Sequence, residues 1–234
     1  TSCGTPGNRF ASAEWMAERM ARQVLILGAG RFGSAVATEL ERLGHEVLAV
    51  DSDTDVIEAI ADEVTQAIVA DVTDVDTLRR LGAADFDVAV VAIGTDERAS
   101  ILSTVLLKRL GVRYVLSKAH DPLHGDILRM VGADRVVFPE LETGRRVAHS
   151  LTMPHAVVDY FDVGPGYGLA KVSCKSCAGK TIEELNLRRR YGVTPLFLHR
   201  DDKVMVNPHP SERLQATDEL VVAGLDGQPG RLEI

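Results

Sequence analysis

Gly28-Ala29-Gly30-Arg31-Phe32-Gly33 carries three glycines at the spacing a backbone needs to wrap a phosphate. Gly28 can take a tight turn, Gly30 lets the main chain approach the phosphate, and Gly33 lets the following helix pack close to the preceding strand. The amino end of that helix would offer unpaired N–H groups and partial positive charge. Asp51 stands eighteen positions beyond Gly33, where a carboxylate accepts from both ribose hydroxyls of an adenosine and repels a 2′-phosphate. NADP is therefore disfavoured. Arg31 lies inside the turn, where its guanidinium could neutralise a terminal phosphate through charge-assisted bonds. That favours ATP or ADP over NAD, both of whose phosphates are bridging; the competing reading of Arg31 is a solvated surface arginine. Asp71 allows two roles, acceptor for the adenine amine or cap of a turn. Ala92-Ile93-Gly94-Thr95 supplies small residues that leave room for a ligand. Phe32, Ser52, Val72 and Ile93 adjoin these positions and complete the candidate nucleotide pocket.

Other candidate chemistry is thin. His120 and His124 are four apart, but Pro122 between them argues against one helix face. His149 and His155 straddle Pro154. None has an acid partner at useful spacing, so each reads as a surface or packing histidine. The sequence holds no Ser-His-Asp arrangement, paired-carboxylate motif or lysine-bearing phosphate loop. Cys174 and Cys177 form a single CxxC; a structural zinc site usually takes four ligands, so the pair reads as two small residues near a strand end. With Cys3 the total is three, a low, odd count that fits a reducing cytosol.

Strands and helices must place the glycine turn, and their pattern is regular. Apolar runs at Gln23–27, Glu46–50, Gln66–70, Val88–93, Tyr114–117 and Arg135–138 read as parallel strands buried on both faces. Between them lie helical patterns at 34–43, 54–63, 74–81, 98–110 and 124–131, four of them followed closely by Gly44, Gly82, Gly111 or Gly132. This alternation predicts an α/β, Rossmann-type doubly wound parallel sheet over 23–139. A helix at 142–151 ends at Met153-Pro154, so 140–155 reads as a connecting helix and hinge. Short strands at 156–163, 169–173, 194–199 and 220–223, with one helix at 181–191, predict a small α+β lobe over 156–227. Residues 1–22 read as an N-terminal extension and 228–234 as a tail.

The chain has 234 residues, 45 % apolar, with a formal charge of −8. This is ordinary globular composition, and the acidic balance argues against general attraction to nucleic acid or anionic lipid. The longest apolar runs are far too short to cross a bilayer. A signal-peptide pattern is also absent, so no direct membrane insertion is expected.

Together the segments GAGRFG, HEVLAVD, VVAIGTDERAS, GADRVVFPELETGRRVA, AGKTIEELNLRRRYGV and NPHPSERLQATDELVVAG give a wider pattern. The chain resembles the RCK (also called KTN) family of regulators of potassium conductance, and within it the free-standing KtrA/TrkA-type subunits. The resemblance runs from about Gln23 to Gly227. It implies a nucleotide-binding N-terminal lobe that dimerises through a crossover helix, and a C-terminal lobe that dimerises separately. It further implies a homodimer building an octameric ring beneath a membrane-embedded potassium transporter subunit, at the cytoplasmic face of the membrane. ATP, ADP and in some members NAD or NADH are the implied ligands. By position, Arg31 matches an arginine that meets terminal phosphates, Asp51 the ribose-binding acid, and Lys118 and His124 pocket-lining residues. Glu140 matches a glutamate that helps hold a divalent or sodium cation; a hard oxygen ligand suits that ion, and an acid stabilised by a helix amino end is the competing reading. Some relatives bind cyclic di-AMP between C-terminal lobes, with Arg188 and Pro208 or Pro210 at the matching positions, although Asn186 and Val193 depart from the expected residues. Two other functions remain open: an NAD-dependent oxidoreductase, and a redox-sensing transcription regulator. The second needs a basic recognition helix that the sequence lacks.

Overall fold

A computed structural model describes residues 21–152, 157–164 and 166–225. It divides into two compact units, Thr1–Pro139 and Glu140–Ile234. The N-terminal extension, the hinge at Met153-Pro154, His155 and the tail expected from the sequence lie outside the described residues, apart from positions 21 and 22.

The first unit is a six-stranded parallel sheet in the order β3-β2-β1-β4-β5-β6. Its strands are β1 (Gln23–Leu27), β2 (Glu46–Asp51), β3 (Gln66–Val69), β4 (Val88–Val91), β5 (Tyr114–Lys118) and β6 (Arg135–Val137). Successive residues of a strand face opposite sides, so the apolar runs feed two cores. Leu25, Leu27, Leu48, Val50 and Leu107 fill one; Val24, Ile26, Val47, Ala49 and Ile57 fill the other. Each fully buried aliphatic contributes about 1.5–3 kcal/mol against exposure. β1 pairs with both β2 and β4, and the strand order reverses there. The crevice at the carboxyl ends of these strands is where open α/β sheets take ligands.

Five helices join the strands: α1 (Arg31–Arg42), α2 (Thr54–Ile60), α3 (Val75–Arg80), α4 (Glu97–Leu110) and α5 (Pro122–Met130). The periodicity placed the start of α1 at Ser34, but Arg31, Phe32 and Gly33 are its first turn and Gly30 is the N-cap. α5 likewise begins at Pro122. Proline at the first helical position forfeits only an N–H that has no helical partner there, so Pro122 opens the helix, and His120 lies before it and shares no helix face with His124.

In the second unit α6 (Pro139–Thr152) opens the segment, three residues earlier than its apolar pattern suggested. Five antiparallel strands follow in the order β10-β9-β11-β8-β7: β7 (Val157–Gly164), β8 (Tyr167–Ser173), β9 (Thr194–Arg200), β10 (Lys203–Val206) and β11 (Glu219–Leu225). β10 has a weak alternation in sequence and is paired to β9 by the turn at Asp201. The helix expected over 181–191 is two short ones, α7 (Ile182–Leu185) and α8 (Leu187–Tyr191), because Asn186 takes φ 46°. Left-handed backbone ends a helix, and asparagine tolerates it better than most residues. Tyr160, Val172, Leu185, Leu198, Leu220 and Val222 form the core, with Cys174 and Cys177 among them. Both thiols are buried, which agrees with the packing reading of the CxxC.

Candidate functional site: the glycine turn and its neighbours

The chain leaves β1 through Gly28, whose φ of +93° few side chains tolerate. Its amide donates to the Val50 carbonyl at 2.8 Å, holding the turn against β2. A Cβ on Gly33 would run into the Gly28 carbonyl oxygen, so α1 lies on the turn as closely as glycine permits. A Cβ on Gly30 would meet nothing within 4 Å. The concave side of the turn is open.

The other helices show what is different about α1. Asp53, Asp74, Asp96 and Asp121 cap α2 to α5, each accepting from first-turn amides. Gly30 caps α1 without a side-chain bond, and the first turn of α1 holds no acid. A carboxylate here would compete with a phosphate for the same amides. Arg31, exposed on that first turn, adds positive charge instead.

Asp51 sits beside the turn. One carboxylate oxygen accepts from the Ala29 amide at 2.7 Å and the other from the Asp53 amide at 3.1 Å. An ionised carboxylate has about four acceptor positions, so these two bonds fix its orientation and leave acceptor capacity for ribose hydroxyls. On the opposite flank, the Lys118 ammonium lies 5.8 Å from the Phe32 ring centroid. It also lies 3.0 Å from where a Gly94 Cβ would be. The turn after β1, the end of β2, the loop after β4 and the end of β5 thus bring together Gly28, Gly30, Phe32, Gly33, Asp51, Ile93, Gly94 and Lys118.

Asp71 accepts from the Thr73 amide at 2.8 Å and hydroxyl at 2.6 Å, the geometry of a turn cap. Val72 is buried and its carbonyl accepts from the Ser103 hydroxyl. Ser52 and Thr95 are exposed at the sheet edge. Glu140 is exposed in the first turn of α6 and belongs to the second unit. Arg188 is exposed, whereas Pro208 is buried. A buried ring offers no stacking face, which leaves Pro210, exposed, as the proline a purine could cover.

The histidines depart most from expectation. His120 Nε2 lies 2.9 Å from Glu97 Oε1 and 3.1 Å from Asp121 Oδ2, and its Nδ1 is 2.9 Å from Nδ1 of His124. Acid partners therefore exist, and the two rings meet. The sequence signal was Asp121-Pro122-Leu123-His124, an N-cap acid followed by proline at the first helical position, which folds His124 back to its cap. His124 is 2 % exposed; burial, then the neighbouring His120, hold its pKa below the usual imidazole value. The His124 amide, first among several causes, holds the Asp121 carboxyl below its usual range.

Comparison with known proteins decides the family. A TrkA-N domain model matches residues 24–139 and a TrkA-C domain model residues 172–228. The Ktr system potassium uptake protein C of Bacillus subtilis is 35 % identical over 88 % of this chain and 93 % of its own length. The Ktr system potassium uptake protein A of Vibrio alginolyticus is 36 % identical over 87 % of this chain and 92 % of its own. The chain belongs to the RCK family, among its KtrA/TrkA-type members. The crystal structure of the GsuK RCK domain shares the fold, with a TM-score of 0.64 at 20 % identity. The match covers 92 % of this chain, which spans about half, 48 %, of that one. A GsuK channel bound to NAD superposes with a TM-score of 0.61, also at 20 % identity. Among the described residues no helix of this family member is long and apolar enough to cross a membrane.

Proposed function

We propose that this RCK-family chain is a nucleotide-sensing regulatory subunit that gates a membrane-embedded potassium transporter, and that it is not an enzyme. The observation that carries the ligand is the acid-free amino end of α1 facing the open side of the glycine turn, with Asp51 held beside it. The partner and the ion come from the family, whose Ktr relatives are potassium uptake proteins. The ribose hydroxyls bond to Asp51, the phosphates rest on the α1 amides, and Arg31 meets a terminal phosphate with Lys118 on the other flank. Glu140 holds a divalent or sodium cation near the phosphates once two protomers associate. Homodimers assemble further into an octameric ring at the cytoplasmic face of the membrane.

A ligand shifts a conformational balance only by its difference in affinity for the two states. The γ-phosphate of ATP, absent from ADP, supplies that difference through Arg31. One charge-assisted contact contributes about 1.5–3 kcal/mol, or about ten- to hundredfold. Calorimetry with ATP and ADP on wild type and Arg31→Ala tests this. The substitution removes most of the preference for ATP while binding of ADP persists; equal loss for both nucleotides contradicts the role given to Arg31. The NAD-bound GsuK channel keeps NAD and NADH as a second reading of the same pocket. Tighter binding of NADH than of ATP in the same titration favours it.

A further inference from the structure

Cys174 and Cys177 bracket a single 3₁₀ turn of the second unit, Cys174 as its cap and Cys177 as its last residue. The Cys177 amide donates to the Cys174 carbonyl at 3.1 Å, and Cys177 Sγ lies 3.4 Å from that same oxygen. We propose that these two thiols are a reversible oxidation site, which a hydroperoxide converts to a disulfide within the chain. Neither sulfur belongs to the nucleotide pocket, which lies in the first unit.

The turn has the span that such a bond needs. A turn closed by a hydrogen bond between its first carbonyl and its fourth amide brings its end Cα atoms within about 7 Å. A disulfide spans about 4.4–6.8 Å between Cα atoms. The side chains also face each other, because the two thiols share a hydrogen bond. Packing among Val172, Leu185, Leu214 and Leu220 asks only for small apolar residues at these positions; it does not require two sulfurs to meet. The low cysteine count fits a reducing compartment, where a disulfide that forms is transient and redox-sensing.

The shared hydrogen bond assigns the roles. The Cys174 S–H donates to the Cys177 sulfur and holds the Cys177 thiol below its ordinary pKa, against the opposing effect of burial. The same bond, and then burial, push the Cys174 thiol up. A thiolate is the attacking form, so Cys177 attacks one peroxide oxygen. The O–O bond breaks, and the leaving oxygen takes a proton and departs as water. Cys174 then attacks the sulfur of the Cys177 sulfenic acid; the S–S bond forms, and the sulfenic hydroxyl leaves with the Cys174 proton as a second water. Two thiols and one hydrogen peroxide give one disulfide and two waters. A small dithiol reverses the step by exchange.

Access comes through the turn itself. Both sulfurs are buried, but Lys175, Ser176, Ala178, Gly179 and Lys180 are exposed, so the pair lies directly under a surface segment. That segment is tied to its neighbour by the Cys174 amide on the Asp218 carbonyl at 2.9 Å and the Gly179 amide on the Leu214 carbonyl at 2.8 Å. Opening it locally costs less than unfolding the lobe, and this opening sets the rate.

The test uses the full chain carrying Cys3→Ser, reduced with dithiothreitol, freed of it and treated with hydrogen peroxide while folded. Mass spectrometry is expected to show the two remaining cysteines losing two hydrogens together, with no link between chains, and dithiothreitol restoring the original mass. In the same background, Cys174→Ala leaves Cys177 to be trapped by dimedone as a sulfenic acid, and Cys177→Ala reacts at least about tenfold more slowly. Two thiols that survive peroxide until the protein is thermally unfolded overturn the proposal. So does a Cys177→Ala chain that oxidises as fast as Cys174→Ala. If either alanine variant melts lower than its parent, the mass change in the folded Cys3→Ser chain decides alone.

Discussion

At the residue scale, a few atoms decide what the glycine turn can hold. Gly33 touches the Gly28 carbonyl where any Cβ would clash, whereas Gly30 faces open space. The two glycines therefore serve different ends, one for packing and one for access. Gly33→Ala should cost about 1–3 kcal/mol through forced displacement of α1, read as a lower melting temperature, and should weaken ATP and ADP alike in calorimetry. An unchanged melting temperature would mean that α1 does not lie on the turn as described. Asp51 was legible as a candidate ribose acceptor from its place at the end of β2. Its bond to the Ala29 amide was not, because a contact across twenty-two positions depends on how two strand ends meet. Asp71 shows the converse. Its short reach to Thr73 is the cap geometry that was one of two readings open in the sequence, and it occupies one carboxylate oxygen.

At the scale of elements, the sequence disclosed the parallel lobe well because each buried strand is a continuous apolar run and each helix has an aspartate or glycine at an end. It disclosed the second unit less well. Asn186 splits a single amphipathic pattern by backbone conformation, which periodicity does not register, and β10 is short and exposed on an edge. Pro122 was read as keeping His120 and His124 off one helix face, and His120 does precede α5, but the turn before the helix still brings the two rings together. The polar clamp of the second unit was likewise invisible. Arg200 binds Asp218 through two nitrogens at 2.9 and 2.7 Å and Glu212 through a third at 2.8 Å, tying β9 to the segment before β11. Asp218 is 1 % exposed, and Arg200 holds its carboxyl below the usual range. Because the folded value is the lower one, this carboxylate stabilises fully above the unfolded carboxylate range, and the contribution is lost as pH falls through the folded value. Asp218→Asn should cost about 1–3 kcal/mol near neutral pH, since it removes a charged, two-nitrogen partner of Arg200 and leaves the Glu212 pair to hold the guanidinium. Denaturant unfolding followed across acid pH should show wild type losing its advantage as the medium is acidified. A variant as stable as wild type at neutral pH would contradict that account.

For the whole molecule, the acidic balance of −8 argues against general attraction to nucleic acid or anionic lipid. The Ktr relatives are potassium uptake proteins, and the open turn is where the proposed nucleotide signal would enter. Coupling of that signal to a transporter needs two assembled states that ATP and ADP favour unequally. In the proposed ring, several sites would compound a modest preference at each. The central claim is that an adenine nucleotide on the amino end of α1 alters how subunits sit against each other. Small-angle X-ray scattering of the full chain, with ATP and then with ADP at saturating concentration, tests it most directly. The account predicts the same particle mass with two distinct scattering profiles; superimposable profiles, or no nucleotide bound at all, would contradict it.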